Sequence, residues 1–181
     1  MIHSSKRVEA NNGERFISRM IDLDEVAFQQ RPELKSHLAY ESFISLASHP
    51  RQELIVDRGL HGRPMKSGFL LAVSFMLSRR LTVWTSKTRV GILFPPGFGA
   101  YIANLAVVLA GKVPVNLNFT LGPSSAATCL QKADVDCLLT TERVQHKIPH
   151  FPWPEGGIID LVEEVKSMPK VKALALICWI H

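Results

Sequence analysis

The chain is 181 residues long, 46% hydrophobic and 20% charged, with a formal net charge of +5. That composition excludes disorder throughout, and its basic residues, scattered without a run of five, exclude a nucleic-acid module read by motif. Cys129, Cys137 and Cys178 make an odd set without CxxC spacing, which argues against a disulfide framework and for reduced thiols, each packed as a small core residue in a cytosolic chain. The longest apolar stretch, 100–115, is interrupted by Gly111 and Lys112 and falls short of the roughly 20 residues of a membrane helix. The first residues lack the apolar core of a signal peptide.

In chain order, 1–12 is polar and Asn12-Gly13 marks a turn. Residues 14–30 carry Phe16, Ile17, Met20 and Ile21 at helical spacing, and 34–47 repeats the pattern until His49-Pro50 stops it. A strand over 53–57, a glycine-flanked turn over 58–62 and a return strand over 63–66 form a hairpin, with Pro64 at an edge. Ser67 is read as the N-cap of a helix over 68–81, with Phe69, Leu70, Val73, Met76 and Leu77 as its apolar stripe and Arg79-Arg80 at the negative end of its dipole.

The centre of the chain is a strand–helix–strand unit. Val90-Gly91-Ile92-Leu93-Phe94 is an apolar run suited to burial on both faces, 100–110 is a helix ended by Gly111, and Val113-Pro114-Val115 is a second strand. Residues 116–120 form a polar loop where open α/β sheets place ligands. Ser124 or Ser125 is read as the cap of a helix over 126–133, and 135–139 as a third strand, so at least three parallel strands are expected. Thr141 caps a short helix through Lys147. Prolines 149, 152 and 154 with Gly156-Gly157 give an irregular segment, and Asp160 caps a last helix that Met168-Pro169 ends. The run 173–180 is as apolar as any core element.

The segment RVGILFPPGFGAYIANLAVVLAGKVPVNLNFTLGPSSAATCLQKADVDCLLT resembles the N-terminal subdomain of the AMP-forming, acyl-activating synthetase superfamily, in which a VGILLP strand precedes a helix ending AGxVPVxLN. The wording LAGKVPVNLNFT is most similar to the bacterial acyl-ACP synthetase/2-acylglycerophosphoethanolamine acyltransferase branch. The resemblance implies an α/β fold, a partial parallel sheet of βαβ units with flanking helices and an N-terminal hairpin. It divides the chain into a helical or poorly ordered segment over 1–33, the N-terminal part of the synthetase domain over 34–155, and an incomplete extension over 156–181. It makes Gly111, Lys112, Pro114, Asn116 and Asn118 structural motif residues: the glycine ends the helix, the proline stiffens the strand and the asparagines satisfy loop backbone.

For a complete relative, the resemblance implies ATP and Mg²⁺ as cofactors, and fatty acid with coenzyme A or acyl carrier protein as partners. The family's place in lipid metabolism implies a cytoplasmic location, with membrane association through its lipid substrates. The family's TSGSTGxPKG loop, YGxTE segment, TGD segment and late catalytic lysine are absent from these residues; Thr85-Ser86-Lys87-Thr88 has the loop's composition without its glycines. No catalytic, cofactor-binding or metal residue is therefore transferred, and the chain is expected to be an inactive scaffold fragment, natural or from a truncated or frame-shifted reading frame. A stand-alone nucleotide- or acyl-binding module, and a non-catalytic interaction partner, are the rival readings.

Two weaker patterns compete. Gly97-Phe98-Gly99 sits where a GxGxxG dinucleotide fingerprint would, but Ile102 replaces the third glycine and asparagines stand where the ribose acid belongs, so a structural turn is expected. His146 and His150 are four apart, yet Pro149 breaks the helix between them and no third ligand has suitable spacing. Trp153 between two prolines reads as a loop anchor on the core.

Overall fold

The computed structural model describes residues 37–57, 62, 64–154 and 157–169. The helix expected over 14–30, most of the turn 58–62, Cys178 and the apolar run 173–180 lie outside the described residues.

Helix α1 (Leu38–Ser48) ends at His49-Pro50, with the Ser48 hydroxyl donating to the Ile44 carbonyl. Strands β1 (Glu53–Val56) and β2 (Pro64–Lys66) pair antiparallel around an irregularity between Glu53 and Ile55. Helix α2 (Ser67–Trp84) follows without a break. Ser67 is not its cap. Lys66 holds that position without a side-chain bond, and the buried Ser67 hydroxyl donates to the Gln52 carbonyl 3.1 Å away, tying the helix start to the hairpin. Arg79-Arg80 also misses the last turn, because the helix runs on through Thr82-Val83-Trp84, and Arg80 instead pairs with Glu164.

Strand β3 (Arg89–Ile92), helix α3 (Phe98–Leu109) and strand β4 (Val113–Asn116) form the expected central unit, with Val90 opposite Pro114 and Ile92 opposite Asn116. Helix α4 (Pro123–Lys132) starts one residue before Ser124 and two before Ser125. Gly122 is its N-cap and Pro123 its first residue, where the missing N–H costs nothing. The third strand, β5 (Leu138–Thr140), begins later than the apolar run suggests, because Asp134 takes a left-handed φ of 51° and the Val135 N–H bonds back to the Leu130 carbonyl to close the helix. Helix α5 (Glu142–Lys147) is capped by Thr141. Strand β6 (Ile158–Asp160), within the region read as irregular up to a helix cap, leads directly into helix α6 (Leu161–Ser167). Its three residues are too few for a periodicity signal, and Asp160 both ends the strand and caps α6 through Val162 and Glu163 N–H.

The sheet runs β4-β3-β5-β6, parallel at each pairing. One face carries Leu70, Leu77 and Leu81 of α2, Ala103, Ala106 and Val107 of α3, and Leu161 of α6, all packed against Val90, Ile92 and Leu139. The other carries Leu117, Ala126, Leu130 and Phe151 against Leu93 and Leu138. The alternation Ile92/Leu93 and Leu138/Leu139 feeds both cores, and each fully buried leucine contributes roughly 1.5–3 kcal/mol. Leu46 of α1 packs on Leu71 and Leu105 outside the first core.

Candidate functional site

The carboxyl ends of β3 and β5 open into a groove of about 1000 Å³. Its floor and walls are apolar: Ile55 and Val56 of β1, Phe94, Pro95 and Pro96 after β3, Phe119 after β4, Val144 and Ile148 of α5, and Leu161 and Val162 of α6. Arg143 and Lys147, one turn apart on α5, bring two exposed cations to it. The sequence reading placed ligand contacts in 116–120; of that loop, Phe119 lines the groove. Arg143 and Lys147 were missed. Their i, i+4 spacing on a capped helix, without an acid opposite, was the available signal.

Gly97-Phe98-Gly99 is a structural turn. Gly97 has φ 150°, a region side chains avoid, and a Cβ on Gly99 would lie 2.8 Å from the Phe94 ring. The Phe98 N–H, at the start of α3, donates to Asp57 Oδ2 at 3.2 Å. The chain's own carboxylate thus occupies the position a phosphate would take at that helix terminus. A dinucleotide does not fit there. Among the described residues no group of three His, Cys, Asp or Glu could hold a metal; His146 Nε2 lies 3.3 Å from Glu142 on the same helix. No chemical step is assigned to these residues.

The motif residues lie along β4 and the turns on either side of it. Gly111 has φ 70° and its N–H bonds to the Val108 carbonyl, closing α3. Lys112 Nζ donates to the Thr85 carbonyl at 3.0 Å and the Lys87 carbonyl at 2.6 Å, pinning the approach to β3. Pro114 lies in the edge strand, and the Asn118 carboxamide oxygen accepts from the Thr120 N–H and hydroxyl. Asn116 bonds a side chain where backbone was expected: it exchanges two amide bonds with Asn104 of α3, at 2.8 and 3.0 Å.

Cys137 is buried at the entry to β5, where burial and the neighbouring Asp136 push its thiol up to about 11, a value that makes it inert near neutrality. Cys129 departs from the core expectation. Helix α4 buries only Ala126 and Leu130, one stripe, and Cys129 faces away exposed. Burial likewise raises the Tyr101 phenol. Phe151 and Trp153 contact each other at 4.8 Å between ring centroids, and Trp153 packs on the second core as a loop anchor.

No family model matches the chain, and no curated protein does. Solved structures do. The nonribosomal peptide synthetase FmoA3, in a form bound to α-methyl-L-serine-AMP, is similar over 76% of this chain and 15% of its own, at 18% identity and TM-score 0.64. A Mycobacterium tuberculosis fatty acyl-CoA synthetase is similar over 75% of this chain and 29% of its own, at 18% identity and TM-score 0.59. The Klebsiella oxytoca NpsA N-terminal subdomain, in complex with anthranilyl-AMSN, matches over 74% of this chain and 33% of its own, at 14% identity and TM-score 0.58. The chain thus spans about a third or less of each of these proteins. Its parallel sheet, flanking helices and hairpin have the fold of the N-terminal subdomain of AMP-forming synthetases.

Proposed function

We propose that this chain is the N-terminal scaffold portion of an AMP-forming synthetase that activates a fatty acid as its acyl-adenylate and passes it to a thiol of coenzyme A or acyl carrier protein. The observation that carries the reading is the central unit itself. The sheet and helices that align with synthetase subdomains are built by the RVGILF…LAGKVPVNLNFT residues whose wording resembles that family. The LAGKVPVNLNFT wording supports the acyl-ACP branch, with a lysophospholipid as a further acyl acceptor.

The 181 residues contribute no adenylation machinery of their own. Lowering the barrier to adenylate formation requires positioned donors and charges around the phosphates. The lysine-ended glycine-rich loop that would supply them is absent from the sequence, and the N-terminus of α3 is taken by Asp57. Two assays test the reading. The chain alone, given ATP, Mg²⁺ and palmitate, is expected to release no pyrophosphate. A chimera in which residues 38–160 replace the aligned segment of the M. tuberculosis fatty acyl-CoA synthetase is expected to retain fatty-acid-dependent release. Pyrophosphate from the isolated chain, or a folded but inactive chimera, contradicts it.

A further inference from the structure

We propose that the crevice beside the free edge of β6 is a docking site for this chain's own apolar run, residues 173–180. The two edges of the sheet, β4 and β6, are not alike. At β4, the Val113 and Leu117 amides bond inward to β3, which turns Pro114 and Asn116 outward; Pro114 has no N–H, so that edge is blunted. At β6, the Gly157 carbonyl accepts from the Leu138 N–H, which turns the backbone of Ile158 and Asp160 outward with their donors intact.

Next to that open edge lies a crevice of about 320 Å³, walled by Trp84 of α2, Ile158 and Ile159 of β6, and Glu163 and Glu164 of α6. Helix α2 ends at it in apolar residues that stand in water: Val83 is 83% exposed and Trp84 37%. An unpaired strand edge beside exposed apolar side chains is a surface that proteins cover, by a helix or loop where no strand is added.

The run is the occupant within reach. The chain leaves α6 at Met168, which is buried in the first core, and residues 169–172 alone separate it from the run. Those four residues span at most about 14 Å, and Glu163 on the crevice wall lies about 8 Å back along α6. The run, Ala-Leu-Ala-Leu-Ile-Cys-Trp-Ile, carries no charge, so its burial is favoured. Lys170 and Lys172 lead into it, and the crevice rim holds Asp160, Glu163 and Glu164, acids that outnumber their cations Arg80 and Lys166.

Handedness decides how the run arrives. Helix α6 packs on the same face of the sheet as α3. The crossover through α3 leads from β3 to β4, so a right-handed crossover through α6 would lead from β6 back onto β5, a place already filled. The run therefore covers the β6 edge and Trp84 from outside and does not extend the sheet. This inference rests on the edge, the crevice and the reach of the chain, and stands or falls apart from the adenylation reading.

The test is photo-crosslinking of the full chain with p-benzoylphenylalanine in place of Trp84, using a mixture of unlabelled and heavy-isotope-labelled protein read by peptide mass spectrometry. Cross-links within one molecule to peptides of 173–180 are expected. Cross-links that join labelled to unlabelled chains overturn the proposal and assign a second copy to the crevice. Cross-links lying wholly outside the run also overturn it. A second measurement leaves Trp84 in place: hydrogen exchange at the Ile158 and Asp160 amides should be at least about tenfold faster in Leu174→Asp/Leu176→Asp than in the wild type. Phe119→Ser, in the groove, should leave those rates unchanged. Thermal melts establish that each variant is folded, and equal rates in a folded Leu174→Asp/Leu176→Asp variant overturn the proposal.

Discussion

The middle of the sheet and its carboxyl end are made from the same strands and are built to opposite rules. In the middle, Val90, Ile92, Leu93, Leu138 and Leu139 are sealed between helices on both faces, and two buried hydroxyls there find carbonyls, Thr140 with Leu93 and Ser74 with Ile102. A few residues further along the same strands, Phe94, Phe119 and Val162 line an open groove, and among the described residues Arg143 and Lys147 make no ion pair. The difference teaches which part of the strands carries the stability and which part leaves surface open. Closed packing in the middle supplies a rigid frame, and the carboxyl end can leave apolar surface in water because the frame does not depend on it.

The comparison breaks first in the core if it breaks at all. Leu77→Ala, at a fully buried position between α2 and the sheet, should cost about 3 kcal/mol in urea denaturation, the usual sum of lost transfer energy and residual cavity. A cost below about 1 kcal/mol would mean that the middle is loosely packed and the contrast false.

A second core test uses pH. The Cys137 thiol is held up to about 11 against an ordinary 9.0, so the unfolded chain loses that proton first. Its contribution is complete below the unfolded thiol's pKa and is lost as pH rises from about 9 through about 11, on the order of 2 kcal/mol. Cys137→Ala should remove that part of the alkaline slope, measured as the difference between wild-type and variant stabilities across the range. Identical slopes would place the thiol in solvent.

At the boundary between the two regions, Asp57→Ala removes the carboxylate that meets the Phe98 N–H. It should cost about 1 kcal/mol, in line with other helix-capping changes. The smallest effect belongs to the groove itself: Phe119→Ser should change stability by no more than about 0.5 kcal/mol. A larger loss of stability would make Phe119 a core residue and remove the contrast between the two regions.

Much of the middle was legible in the sequence, because local rules and tertiary packing agree there. The apolar run 90–94, Gly111 at φ 70°, and Thr141 and Asp160 as caps declare strand, helix end and helix starts by their own chemistry. Ser67, Ser124 and Ser125 misled for the opposite reason. Serine is a generic cap, and only the fold shows that Gln52 claims the first and that Pro123 starts α4 ahead of the others. Strand β6 is too short to carry a pattern, and β5 starts late because a left-handed Asp134 spends Val135 on closing a helix. The groove was the least legible part. It assembles Val56, Phe94, Phe119, Arg143 and Val162 from across more than a hundred residues of chain, and nothing local relates them. The Gly97 turn resembled a phosphate loop, but the carboxylate that fills it comes from the hairpin.

The most direct measurement is pyrophosphate release by the chimera that carries residues 38–160 in the frame of the M. tuberculosis fatty acyl-CoA synthetase, assayed with palmitate, acetate and an amino acid in parallel. Palmitate-dependent release, with the isolated 181-residue chain silent under the same conditions, is the predicted result. A monodisperse, cooperatively melting chimera that releases nothing with any acid would show that the shared sheet does not act as a synthetase scaffold.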